Sequence, residues 1–333
     1  MNTGETPPEP PARPAAPRPP ASRSDTPRPV VVFGSLNRDI RLAAERIARP
    51  GETVGGAELT SRWGGKGANQ AVAAARLGGG PVLFVGAVGD DVTGREALAA
   101  LDADGVDRRH VAVVPGTPTG TAVVIVEDAG DNAITVAPGA NATVRAAQLA
   151  PVLAEREPGV LVACFEVPLD EVRAAARLAA DAGWQVIVNP APATARLTGR
   201  WPDGCLFTPN AHELAALTGG SADAPGIGAR RLAADLRGTV VATLGGDGAL
   251  VAGHREDGAD RVAAPRVAVR DTTGAGDAFN GTLAWCLARD TELVEAARVA
   301  VAAASASTEH EGAREGMVDL ATLTRLAGLP TTD

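Results

Sequence analysis

Cysteine is scarce in this 333-residue chain: Cys164, Cys205 and Cys286 are all there is, far apart and with no CxxC pair. That excludes a disulfide framework and a thiolate zinc site, and suits buried thiols in a reducing compartment. The four histidines, His110, His212, His254 and His310, are scattered and suggest no shared metal. There is no Lys/Arg-rich block, and the formal net charge is -9, which argues against nucleic acid as a partner. No apolar run approaches the roughly 18 residues that span a bilayer, and no leader with an apolar central segment opens the chain. A cytoplasmic protein with no membrane partner is expected. The GxSxG turn of serine hydrolases is missing. Gly274-Ala275-Gly276 fails as a dinucleotide fingerprint because Phe279 stands where the third glycine belongs.

What remains is ample for a large core, since 45% of the residues are hydrophobic. Residues 1 to 29 hold ten prolines among Ala, Arg and Ser, and read as a disordered tail. A single domain is expected over residues 30 to 330. Pro29 to Gly34 begins it with a buried strand. Apolar strands (82 to 85, 160 to 164, 185 to 188, 205 to 208, 240 to 244) then alternate with helices (68 to 77, 93 to 101, 169 to 182, 275 to 288, 293 to 307). That alternation predicts an α/β fold: a doubly wound, mostly parallel sheet with helices on both faces. Residues of about 38 to 63 and 111 to 137 break the pattern as strands without helices between them, and predict a small β-sheet lid that covers a cleft or pairs with a second copy.

Three clusters carry chemistry. Asp271-Thr272-Thr273-Gly274-Ala275-Gly276-Asp277 places a small-residue turn and a carboxylate at a helix start, where free N–H groups attract an anion. Asp277 would be a general base beside an anion hole of Gly274, Ala275 and Gly276, an arrangement suited to phosphoryl transfer. Gly64-Gly65-Lys66-Gly67-Ala68-Asn69-Gln70 also runs into a helix and offers Lys66 and Asn69 as directed donors for a polyhydroxy compound. It is not a Walker A loop, because Gly67 stands where Ser or Thr is required. Asn37 and Asp39 follow the first strand and alternate onto one side, where each could meet a sugar hydroxyl, or could equally make an Asx turn. Alternation turns Arg38 away from them. Glu166, Asn210 and Glu213 recur at other strand exits, and Thr243 to Gly248 is a glycine turn that could admit a nucleotide.

Together the two glycine motifs resemble the signatures of the PfkB (ribokinase-like) carbohydrate kinases, with a likeness extending over about residues 29 to 325. The resemblance implies ATP-dependent phosphorylation of ribose at its 5-hydroxyl. Alternatives are another acceptor on the same fold (fructose, a 2-keto-3-deoxy sugar acid, deoxyribose or a nucleoside) or a non-catalytic sugar-binding regulator. It implies that Asn37, Asp39, Gly65, Lys66, Asn69, Glu166 and Asp277 contact the sugar. Asn210, Thr243, Gly245, Gly246, Gly248 and Gly276 would contact ATP, and Asn210 and Glu213 would lie near its Mg2+. It further implies a K+ activator near Asp271, Thr273, Ser307, His310, Gly312 and Gly316, and a homodimer through the lid strands. Gly316 stands where these kinases usually carry a serine, within an atypical Ala313-Arg314-Glu315-Gly316 segment. Val301 replaces an Asn or His often found near adenine.

Overall fold

The computed structural model describes residues 26–328 except 57, 130, 194–196, 198–199, 221–223 and 254–257. Most of the expected proline-rich tail therefore lies outside the described residues. Its last four residues are described, and order begins ahead of the first strand: the Arg28 N–H donates to Ala288 O at 2.9 Å, and the guanidinium meets Asp290 at 2.9 Å.

β1 (Val30–Phe33), β4 (Val82–Gly89) and β8 (Val160–Cys164) are buried along their whole length. Near-continuous apolar strands of this kind belong to sheets covered on both faces. Their side chains alternate between two cores. Val30, Val32 and Phe84 pack with α1 (Lys66–Arg76), α7 (Ala275–Leu287) and α8 (Leu293–Ser307), while Val31, Phe33 and Leu83 face the side holding α4 (Leu169–Asp181) and α6 (Pro225–Leu236). The remaining elements of this layer are α2 (Val92–Ala103), β5 (Asp107–Val114), α3 (Ala150–Glu155), β9 (Gln185–Asn189), β10 (Leu206–Phe207), α5 (Ala211–Thr218), β11 (Thr239–Thr243), β12 (Ala249–Gly253), β13 (Asp260–Val262) and α9 (Leu320–Ala327). The nine-stranded sheet runs β13-β12-β11-β10-β9-β8-β1-β4-β5. It is parallel from β5 to β11, and β12 and β13 add an antiparallel edge. Among the described residues no helix is long and apolar enough to cross a membrane.

A second, four-stranded sheet has the order β3-β2-β6-β7, built from β2 (Asn37–Ala44), β3 (Glu58–Gly64), β6 (Gly120–Glu127) and β7 (Asn132–Ala137). This is the small sheet expected from the sequence, with one correction. Val111–Val114, read above as a lid strand, belongs to β5 and pairs parallel with Gly86–Gly89 at the edge of the large sheet. An edge strand is covered on one side only, so its mixed pattern of exposure resembles that of a lid strand.

Candidate active site

β1 leads directly into β2, so Asn37 and Asp39 stand where the large sheet passes into the small one. The Asn37 Oδ1 accepts from Asn141 Nδ2 at 2.8 Å, and the same Asn141 amide bonds the Leu36 N–H and carbonyl, each at 3.0 Å. Arg38 turns to the other face as alternation requires: it lies 4.4 Å from the Trp63 ring centroid, and its Nε donates to Ser61 Oγ at 2.6 Å. Next to this strand exit, α1 begins at Gly65. Its φ of 86° and its approach to Leu36 and Asn37, where an added Cβ would stand 2.7 Å from Leu36 Cα, leave no room for a side chain. The Glu166 Oε2 caps α1 by accepting the Lys66 N–H at 2.9 Å, and it also accepts from Ser35 Oγ at 2.5 Å.

The carboxylate of Asp277 sits in the first turn of α7, only 6% exposed. One oxygen accepts from Asn69 Nδ2 at 3.0 Å and the other from Gln70 Nε2 at 3.0 Å. Burial pushes its pKa up, against the opposing pull of Lys66 and these two donors, so it holds a proton more readily than an ordinary aspartate. Burial also works to neutralise Lys66, but the nearby Asp277 and Glu166 outweigh it and hold the ammonium above its usual pKa. Asp39 is pushed up to about 6, chiefly by burial and then by Glu166, with Arg314 opposing.

Gly274 precedes α7 at φ 76°, and an added Cβ would lie 2.6 Å from Ala313 O. Of the expected anion hole, the Ala275 N–H is already engaged, donating to Thr272 O at 3.2 Å. Gly274 and Gly276 line the polar cleft together with Lys66, Asn210, Glu213, Asp277 and Asn280. Asn210 and Glu213 form a reciprocal capping box at the start of α5, each side chain bonding the other's N–H at 2.8 Å. Burial raises the Glu213 pKa. Among the described residues no group of three or more His, Cys, Asp or Glu side chains could hold a metal.

A second cleft of about 200 Å3 is lined by Thr243, Gly245, Gly246, Gly248, Val267, Val269, Val301 and Ala304. It shares Thr243, Thr272 and Gly276 with the polar cleft, so the two are continuous past the start of α7. All the glycine-turn residues expected to contact a nucleotide therefore border one channel, and Val301 lies in its apolar part.

The segment expected to hold a monovalent cation also gathers. The two Asp271 oxygens accept the Thr273 N–H at 2.9 Å and the Gly312 N–H at 2.8 Å. Burial opposes ionisation of Asp271, but these donors outweigh it and hold its pKa below the usual aspartate value. The Ser307 hydroxyl is turned to Ala304 O at 2.8 Å, the Ser307 carbonyl accepts from His310 N–H at 3.3 Å, and Gly316 packs against that carbonyl so closely that no side chain fits.

Sequence reasoning gave no role to Asn141, Gln70 or Arg314. Gln70 lies beside Asn69 in a motif already singled out, and Asn141 lies within the span of the family likeness but outside both glycine motifs. Arg314 carried no signal beyond its atypical setting. Its guanidinium Nε donates to Asn69 Oδ1 at 2.8 Å.

Residues 28–320 match the model of the pfkB family carbohydrate kinases. The chain is 34% identical over 292 residues to the ribokinase of Lactococcus lactis, covering 87% of this chain and 94% of that one. The ribokinase structure of Thermotoga maritima superposes with a TM-score of 0.81 at 29% identity, covering 90% of this chain and 99% of the other. That of Arabidopsis thaliana, complexed with ribose and ATP, gives 0.80 at 30% identity, covering 91% and 99%.

Proposed function

The chain belongs to the pfkB family of carbohydrate kinases, and from that premise we propose that it is a ribokinase, transferring the γ-phosphoryl group of ATP to the 5-hydroxyl of D-ribose to give D-ribose 5-phosphate and ADP. One observation carries the reading most directly. Asp277 is a buried carboxylate, fixed by Asn69 and Gln70, at the point where a polar cleft meets an apolar channel rimmed by glycine turns. The identity with curated ribokinases supports ribose as the acceptor.

In this mechanism the sugar lies among Asn37, Asp39, Gly65, Lys66, Asn69 and Glu166, with its terminal hydroxyl on Asp277. As the hydroxyl oxygen bonds the γ-phosphorus and the bond to the β-phosphate oxygen breaks, the hydroxyl proton passes to Asp277. Burial suits the carboxylate to this step because it raises the affinity of the base for the proton. The N–H groups of Gly274 and Gly276 and the Lys66 ammonium face the charge on the transferring group. Asn210, Thr243, Gly245, Gly246 and Gly248 hold the nucleotide. Mg2+ accompanying ATP would be met by oxygens of Asn210 and Glu213 and would neutralise phosphate charge. K+ would be held by Asp271 and by oxygens of Thr273, Ser307, His310, Gly312 and Gly316, with Gly316 contributing only its carbonyl, and would fix the loop beside Gly274.

The lid exposes Leu59, Ile134 and Val136, at 62%, 59% and 53%, and these would pair two copies into a homodimer. A cytoplasmic location, where ATP is abundant, suits this reading. The test is a coupled ADP assay over pentoses, deoxyribose, hexoses and nucleosides, with and without K+, on the wild type and on Asp277→Asn. Ribose should give the highest kcat/KM. Asp277→Asn should retain ribose binding by calorimetry while losing at least about a hundredfold in kcat. Preference for another sugar rejects ribose, and a variant with most of its kcat removes Asp277 from the chemistry.

A further inference from the structure

Arg314 enters the site from the loop after α8, one residue beyond the Ala313 that packs on Gly274. Although charged, it is only 6% exposed, and burial lowers its pKa to about 10. Its contacts are unequal. The acidic partner, Asp104, is 3.7 Å away and is already held by Arg76 at 2.8 Å. The contact to Gly64 O is 3.4 Å, whereas that from Nε to Asn69 Oδ1 is 2.8 Å. The short bond of this buried cation is thus to a neutral amide.

That choice has a geometric consequence. A guanidinium only donates, so the amide edge facing it must be the oxygen. The NH2 edge of Asn69 must then face the other way, where it donates to Asp277 at 3.0 Å. With an apolar residue at position 314, the Asn69 Oδ1 would lose its donor and the amide would be held by Asp277 alone.

We propose that Arg314 is a positioning residue for the acceptor sugar, locking the Asn69 amide so that its NH2 edge faces Asp277 and the sugar-binding cleft. This rests on Asn69 contacting the sugar, as in the proposed function. Arg314→Met should raise the sugar KM at least tenfold and leave the ATP KM within about twofold, and Arg314→Lys, which keeps a donor, should recover most of the loss. In an Asn69→Ala background, Arg314→Met should have no further effect on sugar KM. A crystal structure of Arg314→Met should show the Asn69 amide moved off Asp277. If Arg314→Met does not fold, Arg314→Lys and Arg314→Gln carry the same comparison. Equal changes in sugar and ATP KM, additive effects with Asn69→Ala, or an Asn69 amide still bonded to Asp277 in the variant structure would each overturn the proposal. Should the wild type phosphorylate no sugar, the proposed function falls alone, and the variant structure still decides the role of Arg314.

Discussion

Replacing Asp39 with asparagine should make the protein more stable at neutral pH and no more stable in acid. The folded environment raises the pKa of this carboxyl from 3.8 to about 6, first by burial and then through Glu166. The folded state therefore binds the proton more tightly than the unfolded chain does. Its contribution to stability is fully present below pH 3.8 and is lost as pH rises through about 6. At about 1.4 kcal/mol per tenfold difference in proton affinity, the ionised carboxylate opposes folding by roughly 3 kcal/mol above that window. Asparagine keeps the shape without the charge. For a chain of this length the gain corresponds to about 5 °C in Tm. Calorimetric or circular-dichroism melts of both proteins at about pH 7.5 and about pH 4, in one ionic strength, read it directly. An equal gain at both pH values, or none at pH 7.5, refutes the burial argument. The same variant should phosphorylate sugar poorly, since it has lost a charged acceptor.

Gly274→Ala should cost about 1–2 kcal/mol for the left-handed backbone alone, with further loss from the approach of Ala313 O, so a lower Tm and a larger ATP KM are expected in melts and initial-rate kinetics. A normal ATP KM would show that the turn is not used for phosphate. Asn141→Ala removes the bonds that tie the Leu36 backbone and Asn37 to one amide. At about 0.5–1.5 kcal/mol per bond the loss is about 3 kcal/mol, seen in denaturant unfolding, and the sugar KM should rise as Asn37 is released. Unchanged sugar KM would separate Asn37 from sugar binding.

The parts of the protein that were legible in sequence are those written locally. Apolar runs such as Val160–Cys164 declare a strand covered on both faces, and Gly274 to Asp277 shows a glycine turn and a carboxylate within four positions. The edge strand β13 is three residues with no such run, β12 follows the glycine turn as a run of only four apolar residues, and both went unread, while β5 was assigned to the wrong sheet because half-covered edges resemble one another. In the site, what escaped notice depends on distant partners. Arg314 meets Asn69 across 245 residues, and Asn141 meets Asn37 across 104. An arginine between an alanine and a glutamate, or an asparagine in a short turn, has no periodicity or spacing to announce such a meeting.

Asn37 begins the lid strand β2 and is paired there on both sides, with Gly64 of β3 and Gly120 of β6. The residues proposed to contact the sugar are thus built into the strand that joins the small sheet to the large one. A substitution at Asn37 or Asp39 therefore changes the first strand of the small sheet as well as the proposed acceptor pocket.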